Sequence, residues 1–185
     1  MVATTLGCSE SAIHNIKSMT DMLSESLLCG GKIMVCGCGG SAADAQHFVG
    51  ELVGRFNNKR GGLAAMSLAT DPSVVTSIVN DFGASFIFAR QVEALGMPQD
   101  VLIGITTSGI SASVWEAIKV AKEKDIETIL LVGSKHLDDI YEANPIVYLP
   151  DIVFAVPQEE TPYVQLCHSI ILHTVAERLD VPRNE

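Results

Sequence analysis

The chain has 185 residues, which suits one domain with a substantial core, and its composition is 48% hydrophobic and 18% charged. A formal charge of −10 argues against nonspecific binding to nucleic acid or an anionic membrane, and the only adjacent basic pair, Lys59-Arg60, falls in an expected loop. The apolar runs are strand-length, so no membrane span or signal peptide is expected, and the apolar composition hints at subunit interfaces. The odd set of five cysteines (Cys8, Cys29, Cys36, Cys38, Cys167) contains no CxxC pair and reads as reduced thiols in a cytosolic protein.

Residues from about Ser9 to Leu28 carry Ile13, Ile16, Met19, Leu23 and Leu27 at helical spacing, and Cys29-Gly30-Gly31 ends that helix. Lys32 to Cys36, bounded by glycines, predicts a short buried strand. A helix starts at Ser41 and ends near Gly54, and Leu63 to Leu68 reads as the next strand. Asp71-Pro72 fits an N-cap followed by proline in the first turn of a helix. Asp81-Phe82-Gly83 breaks that pattern, and a further helix runs to Leu95. Val101 to Ile105 predicts another buried strand, Thr106 to Ile110 a polar loop, Ser111 to Lys124 a helix and Thr128 to Val132 a strand. Lys135 to Glu142 reads as a short helix and Ile146 to Leu149 as the last strand. Pro157 to Thr161 leads into a final helix to about Leu179. Apolar strands alternating with helices indicate an α/β fold, a parallel sheet covered on both faces. With no linker or repeat visible, residues 1–185 are expected to form a single domain. The terminal helices would pack across the sandwich or between subunits.

Two polar loops lie between a strand and a helix start, where open parallel sheets bind ligands. They are Gly37-Cys38-Gly39-Gly40-Ser41 and Thr106-Thr107-Ser108-Gly109-Ile110-Ser111. Free backbone N–H groups and the helix dipole favour an anion there, and the hydroxyls add hydrogen bonds without a fixed cation. Turn chemistry accounts for either loop alone, with Ser111 a plain N-cap; two such loops in one sheet favour phosphate. The first is not a Walker loop, because no Gly-Lys-Ser/Thr follows, and it lacks the third glycine of a dinucleotide fingerprint.

His47 and Glu51, four residues apart, share one helix face. Gln165 and His173 are separated by about 80° of rotation and about 12 Å of rise, so they converge only on something lying along the last helix. His168 competes for the same role. Spacing alone leaves two readings, interface histidines with a solvated glutamate or a metal site, and Gln as an uncommon ligand weighs against metal. A phosphate cradle beside a Glu and several imidazoles suggests proton transfer on a phosphorylated small molecule.

These residues carry a specific resemblance. The stretches Gly39-Gly40-Ser41-Ala42-Ala43-Asp44-Ala45-Gln46-His47-Phe48, Gly54-Arg55, Asn80-Asp81-Phe82-Gly83, Arg90 to Gly96, Asp100 to Ile105, Thr107-Ser108-Gly109 and Thr161 to His173 resemble the sugar isomerase (SIS) domain proteins. Within them the chain looks like the phosphoheptose isomerases. The resemblance implies a flavodoxin-like three-layer α/β/α sandwich, assembling as a homotetramer with active sites between subunits. It implies conversion of sedoheptulose 7-phosphate to D-glycero-D-manno-heptose 7-phosphate, the first step toward nucleotide-activated heptose. Ser41, Thr106, Thr107, Ser108 and Ser111 would hold the phosphate, within the loop that carries Gly39 and Gly40. Glu51 and His173 would be the acid–base pair. His47, Glu51, Gln165 and His173 would surround one zinc ion per site, and Arg55, Asp81 and Gln165 would lie near the sugar.

The chain departs from the family pattern at several places, among them the short Ser134-Lys135-His136 loop, which lacks the usual glycine cluster. Cys38 stands where relatives usually carry Asn, and Tyr163 and Leu166 replace charged residues flanking Gln165. These departures bear on the exact substrate more than on the reaction type. Three alternatives stand beside it: an isomerase of another ketose phosphate, a noncatalytic SIS protein that binds a protein partner of the replication-initiator kind, or a regulatory module that binds a sugar phosphate without turning it over, which no accompanying DNA-binding segment supports. The noncatalytic relatives lack the Glu and the last His, and this chain keeps both as Glu51 and His173.

Overall fold

The computed structural model describes residues 10–134 and 148–180. Helix α1 spans Glu10–Leu28, strand β1 Ile33–Gly37, helix α2 Gly40–Val53 and strand β2 Ala65–Ser67. Helix α3 (Pro72–Phe82) follows, then a 3-10 turn at Ala84–Phe86 and helix α4 (Ala89–Leu95). Strand β3 is Val101–Thr106, helix α5 Ala112–Glu123, strand β4 Glu127–Gly133, strand β5 Ile152–Val156 and helix α6 Thr161–Leu179. Asp71 caps α3 as its sequence suggests, its Oδ1 accepting the N–H groups of Ser73 and Val74.

The five strands form one sheet in the order β2-β1-β3-β4-β5, with every neighbouring pair parallel. Side chains alternate across it. Ile33, Val35, Ile103, Ile105 and Leu131 join a core with α1, α2 and α6, built on Met19, Phe48, Leu52, Ile171 and Val175. Met34, Cys36, Leu102, Leu130 and Val132 face the other way, into a core with Phe88, Val92, Val114 and Ile118 from the α4–α5 side. This burial on both faces explains the unbroken apolar runs of β1 and β3, which are fully buried along their length. Each large side chain so buried contributes about 1.5–3 kcal/mol. The architecture is the expected three-layer sandwich, and α1 packs across the face that carries α6.

The last strand differs from expectation. Tyr148 and Leu149 lie in a turn, and the strand that pairs with β4 is Ile152–Val156. Asp151 fixes that register, accepting the Thr128 backbone N–H and hydroxyl at 2.8 Å each. The expected helix at Lys135 to Glu142, and residues 146–147 of the expected strand, lie outside the described residues.

The strand order reverses direction between β1 and β3. The chain leaves β1 for β2 on one side and resumes at β3 on the other. Such a switch point opens a crevice at the carboxyl ends of the two strands. The two polar loops leave β1 and β3 at that point, so topology brings them together.

Candidate active site

The two loops enclose a cleft of about 290 Å³ whose lining includes Cys38, Ser41, Thr106, Thr107, Ser108 and Ser111. Gly39 takes a left-handed conformation (φ 59°) that a side chain would strain, turning β1 into α2. At Gly40 the reason for glycine is contact: a Cβ there would lie 2.1 Å from the Gln165 amide nitrogen. Neither helix start is capped by a side chain. Ser111 occupies the N-cap position of α5, but its hydroxyl bonds Ser113 Oγ at 3.3 Å and lies 3.8 Å from Cys38 Sγ. The simple N-cap reading of Ser111 therefore gives way to a hydroxyl turned toward the cleft.

The second loop is held by its own groups. Thr106 Oγ1 accepts the Gly109 N–H at 3.2 Å, and the Trp115 indole N–H donates to the Gly109 carbonyl at 2.7 Å. Thr106 is buried, whereas Thr107, Ser108 and Ser111 are half-buried at the cleft. Among the described residues no lysine or arginine lines it. An anion in the cleft would be met by hydroxyls and backbone N–H groups, the arrangement that favours phosphate at helix starts.

Further along α2, His47 and Glu51 meet His173 of α6. The ligand atoms of these three side chains all lie within 4.8 Å of one another. His47 Nε2 stands 3.2 Å from Glu51 Oε1, and the two imidazole rings meet edge to face with centroids 4.8 Å apart. His173 Nδ1–H donates to the Ser169 carbonyl at 2.8 Å. A carbonyl only accepts, so this bond fixes the tautomer and leaves the Nε2 lone pair free for a proton or a metal.

Asp44 lines the same pocket, a residue that sequence reasoning passed over. The signal was present: Asp44, His47 and Glu51 fall at i, i+3 and i+7, one face of a helix. Burial pushes the Asp44 carboxyl above its ordinary range, and the charges of His47 and His173 only partly oppose it. Its Oδ2 is buried without a hydrogen-bond partner. The space between these groups is about 10 Å³, room for one ion or one water and not for a sugar. Two imidazoles, a carboxylate and an orphaned buried carboxyl oxygen around an ion-sized gap are a donor set that fits a divalent cation such as zinc.

The other expected site residues fall elsewhere. Gln165 places its amide against Gly40 at the start of α2 and does not line the His47–Glu51–His173 pocket. Arg55 and Asp81 are exposed and line neither pocket; Asp81 accepts a hydrogen bond from the Asn80 side chain. His168 is fully buried and separate from the cluster. Burial lowers its imidazole to about 4, the Val132 main chain offsetting this only in part, so it stays neutral at pH 7.

A sequence model described as the SIS domain matches residues 2–133. The chain is 42% identical over 168 residues to the phosphoheptose isomerase of Syntrophotalea carbinolica, covering 91% of this chain and 82% of that one. It is 45% identical over 165 residues to phosphoheptose isomerase 1 of Campylobacter jejuni, covering 89% and 85%. The solved structure of a phosphoheptose isomerase from Neisseria gonorrhoeae is similar with a TM-score of 0.81 at 39% identity, over 91% of this chain and 86% of that one.

Proposed function

This chain belongs to the SIS domain family, among its phosphoheptose isomerases, and on that premise we propose that it converts sedoheptulose 7-phosphate to D-glycero-D-manno-heptose 7-phosphate. The product feeds nucleotide-activated heptose. The observation that carries the reading is the meeting of His47 and Glu51, on the helix whose amino end opens into the hydroxyl-lined cleft, with His173 of α6.

In this reading the cleft takes the phosphate through Ser41, Thr106, Thr107, Ser108 and Ser111, with Gly39 and Gly40 allowing the backbone to approach. From Ser41 to His47 is about 9 Å along α2, a span on the order of an extended sugar phosphate. Helical side chains tilt toward the amino end, so His47 and Glu51 reach back toward the cleft. Of Glu51 and His173, one takes a proton from C1 of the ketose while the other gives a proton to the carbonyl oxygen at C2, producing a cis-enediol. A proton then returns to C2 as the hydroxyl proton at C1 leaves, and C1 becomes the aldehyde. Zinc, one per site, would be held by His47, Glu51 and His173, with Gln165 as the further ligand once its amide leaves its place beside Gly40, and would polarise the carbonyl; a ligand that transfers a proton would leave the ion to do so.

Arg55 and Asp81 are assigned to the sugar pocket of a site completed by a second copy, in a homotetramer. Their exposure in one copy supports this, as do the exposed apolar side chains Val79, Phe82, Phe86, Tyr163 and Leu166. Residues 1–185 are taken as one SIS domain. A cytoplasmic setting fits four free cysteines, Cys29, Cys36, Cys38 and Cys167, and no described helix is long and apolar enough to cross a membrane. Cys38 lines the phosphate cleft, and it is the residue that favours a different ketose phosphate as the second reading.

The test is aldose formation from sedoheptulose 7-phosphate by the purified protein and by Glu51→Gln. The wild type is expected to turn over, and Glu51→Gln to lose at least a hundredfold in kcat with its fold intact. Near-normal turnover of the variant would remove Glu51 from the chemistry.

A further inference from the structure

Arg60 and Asp180 lie 120 residues apart and form an ion pair with side chains only 4% and 1% exposed. Arg60 Nε–H donates to Asp180 Oδ1 at 2.8 Å. The Asn57 and Asn58 backbone N–H groups donate to Asp180 Oδ2, and the Asn58 amide donates to the Asp180 carbonyl. Arg60 Nη2 donates to the Glu51 carbonyl at 2.8 Å, and Nη1 donates to the carbonyls of Leu52 at 2.9 Å and Gly61 at 3.0 Å. The guanidinium therefore caps the carboxyl end of α2, while its carboxylate partner ends α6.

These are the two helices that carry the cluster. Glu51 is held at its own carbonyl, and His173 lies two turns before Asp180, about 10 Å along α6. A buried ion pair is a poor route to stability, since apolar residues of the same volume often serve as well or better. What it adds is a fixed geometry, because one planar fork must satisfy both helix ends at once.

We propose that Arg60 and Asp180 form a positioning clamp that sets how α2 and α6 present Glu51, His47 and His173 to one another. Neither residue of the pair lines a pocket, so the pair acts through the backbone of α2 and the end of α6. The inference rests on the isomerase reading for its kinetic consequence but not for its structural one.

Arg60→Lys and Asp180→Asn test it, since Lys keeps the charge but lacks the fork, and Asn keeps an acceptor but lacks the charge. Three readouts are taken well below the melting temperature: zinc affinity by chelator competition, kcat and KM separately, and the nuclear Overhauser contact between the His47 and His173 ring protons. The clamp predicts folded variants whose ring contact is weakened, zinc affinity lowered about tenfold or more, and kcat lowered at least tenfold with KM within about twofold. A wild-type ring contact in both folded variants would overturn the proposal, whatever their activity. If the wild type neither turns over substrate nor binds zinc, the isomerase reading fails on its own, and the ring contact still decides the clamp. If both variants fail to fold, Arg60→Gln, which retains donors, is read by the same ring contact.

Discussion

Each half of the site depends on a few side chains freed from ordinary structural duty. Ser111 stands at a helix start without capping it, and His173 spends one nitrogen on Ser169, which leaves the other available. Ser108 accepts only a long 3.4 Å bond from the Ile110 N–H, so its hydroxyl can donate to a phosphate oxygen. Ser108→Ala removes one charge-assisted hydrogen bond, about 1.5–3 kcal/mol. KM for the phosphosugar should rise roughly 10- to 100-fold with little change in kcat. An unchanged KM would put the phosphate outside this cleft. At this scale His47, Glu51 and the hydroxyl loops were legible in the sequence because helical spacing and loop composition announce them. Asp44 was passed over although it shares their spacing. Arg60 and Asp180 were not legible at all: the first read as part of a loop's basic pair and the second as a helix end, and only the fold spans the distance between them.

Elements place those residues, and they do so through close contacts. The Gln165 amide rests where a Cβ at residue 40 would stand, so Gly40→Ala must displace it. A glutamine end is flexible, so the melting temperature should shift by only a few degrees. The kcat/KM should nevertheless fall at least tenfold, because Gln165 can no longer lie beside the start of α2. Unchanged kcat/KM would mean that the position of Gln165 is immaterial. Acid sensitivity is also set between elements. For Asp151, burial raises the carboxyl, but the hydrogen bonds from Lys122 and Thr128 outweigh it and hold the group below its ordinary range. Asp180 follows the same pattern, with burial opposed by the N–H groups of Asn58 and Asn57 and by Arg60. Both pKa values are lowered on folding. Their stabilisation is therefore complete above the unfolded carboxylate value, about 3.9, and is lost as pH falls through the lower folded values. Melting temperature should decline below about pH 4, and less so in Asp151→Asn than in wild type; equal declines would remove Asp151 from the acid response. The same residue explains the misplaced last strand. Two apolar runs, Ile146 to Leu149 and Ile152 to Val156, flank Pro150-Asp151, and both have strand composition. Pairing with β4 and the Asp151–Thr128 bonds select the second, a choice no local pattern contains.

At the scale of the whole molecule, the strand order makes one site from distant segments. The buried runs of β1, β3 and β4 were readable because parallel strands covered on both faces are apolar throughout. The order β2-β1-β3-β4-β5 was not readable from those runs alone, and that order brings the two hydroxyl loops to one crevice while α2 and α6 share a face of the sheet. In the proposed reading phosphate recognition and proton transfer sit toward two ends of one helix, and the central claim is that they act on the same ketose phosphate. The most direct test is aldose formation from sedoheptulose 7-phosphate, measured with metal-stripped protein and again as zinc is titrated back. The account predicts turnover that rises with zinc and saturates near one ion per chain. No aldose in either state would contradict it.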